Sequence, residues 1–128
     1  NYTATGGSNT LNAEIDGASG TTATITKTGD SNEVAVCGTI GTSAALGVSA
    51  TCASGVAADD TNTTISINGD SNKVAVGLDA ANAVNNITIG GTTASSNNVV
   101  NLTQTGTDTP NVTINVDGST NAINITQQ

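Results

Sequence analysis

The sequence predicts an all-β chain folded as a single-domain β-solenoid, a cross-β-like stack of about five strand-turn-strand units. Three observations carry this expectation. The stretch GDSNEVAV at 29–36 returns as GDSNKVAV at 69–76, with only Glu33 exchanged for Lys73. A stacked architecture calls for such repetition, because each layer must present the same shape to its neighbours. Thr and Asn make up roughly a third of the 128 residues, a composition suited to strands and turns and poor for helix interiors. The hydrophobic residues, 35% of the chain, are almost all Ala, Val, Ile and Leu, with one Tyr and no Phe, Trp or Met, so any core is thin. The alternative that this composition also allows is an antiparallel β-sandwich, whose short strands are likewise separated by turns.

Each unit is found by its turn. TTATITKTGDSNEVAV, NTTISINGDSNKVAV and NVTINVDGSTNAINI share alternating apolar residues, a Gly-containing turn ending in Asn, and renewed alternation. A looser copy, NNITIGGTTASSNNVVNL, separates Asn86 from Asn98 by twelve positions where Asn62 and Asn72 are ten apart, which reads as a turn two residues longer. A shortened copy, NYTATGGSNTLNAEI, opens the chain with Asn9 at the end of its turn. The units fall at about 1–20, 21–36, 61–78, 84–104 and 110–128, with an insertion at 37–60.

Period-two alternation assigns the inward side chains. After the turn these are Leu11, Ala13 and Ile15; Val34 and Val36; Val74 and Val76; Val100 and Leu102; Ile123 and Ile125. Before it they are Ala23 and Ile25, Ile65 and Ile67, Ile87 and Ile89, and Val112, Ile114 and Val116. Lys27 breaks the pattern where Ile67 and Val116 stand; at a strand end, its stem is expected to pack while the ammonium reaches water. A lone hairpin with so few apolar side chains is marginal, and stacking at about 4.8 Å joins the β-branched residues into columns. Identical amides in register then hydrogen-bond as a ladder, which gives the turn residues Gly29, Asn32, Gly69, Asn72, Asn98, Gly118 and Asn121 their roles.

Cys37 and Cys52, the only cysteines, bound the small-residue insertion, with no His to complete a metal site. A disulfide in an oxidising compartment is expected, worth about 3 kcal/mol by loop closure. The start at Asn1 without Met fits a product whose secretion signal has been removed.

The formal charge of −8, from ten acids against Lys27 and Lys73, excludes a nucleic-acid-binding surface and disfavours an anionic membrane. There is no His, no Arg and no nucleophile beside a base, so the expectation is neither an enzyme nor a cofactor or metal protein. The Asp residues of the turns are explained by backbone bonding. The turns lack the carboxylate spacing of a calcium loop, and Asp59 with Asp60 is a weaker candidate. The six N-x-T sequons follow from composition.

The pattern of apolar alternation, Gly, two variable residues, Asn and alternation again resembles the curlin repeat of bacterial curli fibres. Gly29 with Asn32, Gly69 with Asn72 and Gly118 with Asn121 carry it. The resemblance implies a secreted strand-turn-strand solenoid that polymerises into an extracellular fibre of the biofilm matrix or of adhesion, with functional-amyloid character. Its partners are then copies of itself, other matrix components or cell surfaces.

The closing NAINITQQ is an alternating strand, and neither end carries a capping helix or a cluster of charges. Head-to-tail stacking is therefore expected, the layer of Ile123 and Ile125 meeting that of Tyr2, Leu11 and Ala13 in the next copy. Two other readings share these data. One is a pilus-type subunit that donates a strand, and the other is a soluble module whose outward Thr24, Thr26, Thr28, Thr64, Ser66, Thr88 and Thr113 form an ice-binding type of face.

Overall fold

The computed structural model describes residues 1–13, 22–37, 39–42, 51–54, 62–80, 84–106 and 111–128. Ile15, Asp59 and Asp60 lie outside them. The alternating segments form β1 (Tyr2–Thr5), β2 (Thr10–Ala13), β3 (Thr22–Thr28), β4 (Glu33–Cys37), β5 (Thr39–Thr42), β6 (Thr51–Ser54), β7 (Asn62–Asn68), β8 (Lys73–Ala80), β9 (Val84–Ile89), β10 (Val99–Gly106), β11 (Val112–Val116) and β12 (Ala122–Gln127). In the described residues they make two five-stranded sheets, ordered β1-β3-β7-β9-β11 and β2-β4-β8-β10-β12, and a separate pair β5-β6.

The protein is a β-solenoid. Every neighbouring pair within the two large sheets is parallel. That overturns the antiparallel sandwich: a turn here carries the chain from one sheet to the other rather than back along the same sheet. Each turn thus closes one layer, and five layers lie on one another.

The register aligns like with like. In the first sheet Ile25, Ile65, Ile87 and Ile114 are successive partners; in the second, Val34, Val74, Val100 and Ile123 are. The two sets of columns meet in one apolar core. The inward residues of the three middle layers, Lys27 included, are at most 2% exposed, apart from the half-buried Ala23. Leu11, Ile123 and Ile125 pack on this core but stay partly exposed, and Ala13, expected inward, is exposed. All four belong to end layers, which among the described strands have a neighbour on one side only.

The single exchange between the two copies of the repeated turn also has a structural role. Glu33 and Lys73 are register partners, and Lys73 Nζ lies 3.2 Å from Glu33 Oε2. Two identical residues there would set like charges opposite each other across adjacent strands.

Two local expectations are corrected. Val84, not Asn86, stands opposite Asn62, and Ile89 stands opposite Ile67. The fourth turn is therefore four residues longer than the third, not two, since nine positions separate Ile89 from Asn98 and five separate Ile67 from Asn72. The extra chain bulges from Gly90, at φ 64°, and Ser95 enters the position held by Gly69 one layer earlier. The second correction is Lys27, whose ammonium does not reach water. The side chain is 0% exposed, and Nζ donates to the carbonyls of Thr10 and Asn32, the latter at 3.3 Å.

The insertion contributes the antiparallel pair β5-β6, which packs against the second sheet over β4 and β8. There the outward residues are small and apolar, and Ala35, Cys37, Ala75 and Val99 form a second buried cluster.

Candidate functional site: the turn ladders and the end layers

Four of the five described turns open on a glycine at positive φ, Gly6, Gly29, Gly69 and Gly118, and the fourth turn has Ser95 in that position. Gly29 and Gly69 adopt φ 108° and 131°. A Cβ on either would lie 2.4 or 2.2 Å from a carbonyl oxygen of the next layer. Two residues on, Ser8, Ser31, Ser71, Asn97 and Thr120 all have φ between 55° and 64°. The asparagine that follows is the last turn residue in every layer: Asn9, Asn32, Asn72, Asn98 and Asn121.

These asparagines form a directional ladder. The backbone N–H groups of Asn32, Asn72, Asn98 and Asn121 each donate to Oδ1 of the asparagine one layer earlier, at 2.9 to 3.0 Å. From Asn72 onward Nδ2 donates to the same oxygen, at 3.0 to 3.1 Å. In the other direction, Nδ2 of Asn9, Asn32, Asn72 and Asn98 donates to the turn carbonyls of Gly29, Gly69, Ser95 and Gly118. Asn32, Asn72 and Asn98 are 0% exposed, so these bonds satisfy amides that burial would otherwise penalise.

A second ladder runs beside the first. The N–H groups of Gly7, Asp30, Asp70 and Ser96 donate to side-chain oxygens of Asp30, Asp70, Ser96 and Ser119 respectively, one layer onward, at 2.6 to 3.0 Å. The turn aspartates thus have the backbone role expected of them. Sequence reading missed their alignment with Ser96 and Ser119, although the position directly before the two residues that end each turn was the available signal.

The two ends of the stack are complementary. At the β12 end, Asn121 Oδ1 occupies the place that accepts from the following asparagine in the four earlier layers. At the β1 end, Asn9 presents the N–H that in every later layer finds such an oxygen. Tyr2, Leu11, Ala13, Ile123 and Ile125, the expected joint residues, are thereby divided between two end surfaces: the first three lie in β1 and β2, the last two in β12. Tyr2 is 44% exposed.

Behind the β1 end sits Lys27, its Nζ 5.2 Å from the centroid of the Tyr2 ring. Burial lowers its pKa from 10.5 to about 8, against an opposing pull from the Glu33 carboxylate. Lys27 is opposite Ala4 in the register, and that small side chain leaves room for the lysine to turn toward the end layer.

At the other margin of the core, Thr63 and Asn85 are register partners and both 0% exposed. Thr63 Oγ1 and both amide atoms of Asn85 have no hydrogen-bond partner among the described residues. Gln104 Nε2 donates to Gln127 Oε1 at 2.7 Å, a short amide ladder in the second sheet.

Among the described residues no group of three or more His, Cys, Asp or Glu side chains is placed to hold a metal ion, and no helix is long and apolar enough to cross a membrane. No free cysteine occurs among them; Cys37 is buried at the end of β4, and Cys52 lies in β6. No family model, curated protein or solved structure matches the chain.

Proposed function

We propose that this chain is the structural subunit of a secreted bacterial extracellular filament, built in the manner of curlin-repeat fibres and growing by head-to-tail β-stacking. The observation that carries the reading is the polarity of the asparagine ladder, which leaves an acceptor at one end of the stack and a donor at the other. Stacking a second copy with Asn9 over Asn121 continues the ladder. The register then sets Leu11 on Ile123, Ala13 on Ile125 and Tyr2 on Ile114, returning the partly exposed residues to a two-sided environment. Such a contact is heterologous and does not close, so it propagates as a filament. A bond between Cys37 and Cys52 would staple the β5-β6 pair to the layer that carries it, and the chain works as scaffold rather than as enzyme. Its partners in this reading are other copies, matrix components and cell surfaces.

Negative-stain electron microscopy of the purified protein at neutral pH, with and without salt, tests the proposal. Long unbranched filaments are expected, forming faster in salt because subunits of like charge repel less when screened. Ile125→Lys places a charge on the growing end and is expected to stop elongation. Monomers under all conditions, or normal filaments from Ile125→Lys, would refute the mode of growth.

A further inference from the structure

The two sheets differ on their outer faces. The second is overlaid by the chain's own β5-β6 pair, while the first, formed by β1, β3, β7, β9 and β11, has no described element packed on it. Its central outward column runs Thr3, Thr26, Ser66, Thr88 and Asn115 in register. None of the ten acids falls in any strand of this sheet, and its one charged residue, Lys27, points inward. The described acids lie in the turns, as Asp30, Asp70 and Asp117, or in the second sheet, as Glu33 and Asp79.

We propose that the outer face of the first sheet is a lateral interface that pairs with the same face of a second copy. A subunit of charge −8 repels its own kind, and among the described residues this is a sheet face on which two copies approach without setting strand carboxylates against each other. Its side chains are short, so two such faces can close to the spacing of about 10 Å at which packed sheets interdigitate. Area sets the strength of the contact. Five strands at about 4.8 Å and about 17 Å of strand length offer about 400 Å² per copy, roughly half of the 800 Å² per partner in a stable complex. A single pair of subunits therefore associates weakly, whereas two filaments multiply the contact along their length. Lateral pairing in this form rests on the filament reading; the face-to-face contact itself does not.

The test uses Ser66→Glu, which puts a like charge at the centre of an exposed column, and Ser66→Asn as a neutral control. Wild type and Ser66→Asn are expected to give laterally paired filaments in electron micrographs, and Ser66→Glu single ones of unchanged length. Thr113→Glu serves as a second variant should Ser66→Glu fail to fold. In the non-elongating Ile125→Lys background, sedimentation velocity is expected to show a dimer that grows with concentration and is lost on adding Ser66→Glu. Single wild-type filaments, or pairing that survives both Glu substitutions, would overturn the proposal. If wild type makes no filaments, the filament reading falls, and the concentration-dependent dimer alone decides the face: its presence upholds the interface and its absence overturns it.

Discussion

The middle of the stack and its ends are built from the same repeat and are physically different. Asn72 sits between two asparagines, 0% exposed, with its amide bonded to Asn32, Ser95 and Asn98. Asn121 has the same backbone position and one neighbour, and it is exposed. Leu102 is 0% exposed, while Ile125, its register partner in the last layer, stays partly exposed. A layer's stability is therefore a property of its neighbours. In a solenoid the interface between repeats, more than the repeat itself, decides what is ordered.

The strongest way to break this comparison is to remove the same side chain in both places. Asn72→Ala strips the partners from several buried groups at once and is expected to lower the unfolding free energy by about 3–5 kcal/mol, read from urea denaturation. Asn121→Ala should cost about 1 kcal/mol or less, because water replaces the missing partner. Equal losses would mean that the ladder does not grade from centre to end.

A smaller effect comes from the lysine behind the β1 end. Burial holds Lys27 near 8, while its unfolded value is 10.5. Between those values the unfolded chain binds a proton that the folded chain does not, so stability should rise with pH across the window, by about 1–2 kcal/mol after solvent screening. Lys27→Met should flatten that rise and stabilise the protein at pH 7. A flat wild-type profile between pH 8 and 10.5 would show that the ammonium is better solvated than its burial implies.

The smallest expected change sharpens the contrast at the core margin. Asn85 contributes buried amide atoms with no partner among the described residues, and its partner position in the next layer is Val112. Asn85→Leu is expected to stabilise by about 1 kcal/mol, measured as a shift in the urea midpoint. A loss of stability instead would indicate that a water bridges the amide to Thr63.

Lys27 and the fourth turn show where sequence reading stopped. The alternation placed Lys27 on the inward side, but a strand-end lysine ordinarily directs its ammonium to solvent. What turned it inward was the small Ala4 opposite it and the Thr10 carbonyl, both contributed by a different layer, together with the Asn32 carbonyl of its own turn. In the fourth unit, counting back from the asparagine that ends the turn set Asn86, twelve positions before Asn98, against Asn62, ten before Asn72. Register is decided by which column an isoleucine joins, and Ile87 joins that of Ile65. The joint residues were legible as strand positions; the polarity of the ladder that gives the joint a direction was not.

The sequence by itself determined the repeating unit, the inward face of nearly every strand and the asparagine that closes each turn, because these follow from local alternation and turn chemistry. Only the tertiary structure decided that the sheets are parallel and that the Glu33 to Lys73 exchange is an ion pair between layers. It also decided which outer face the insertion overlays. The physical reason is the same in each case: the interactions run perpendicular to the chain, between residues some twenty to forty positions apart, and no local pattern records which layer will lie on which.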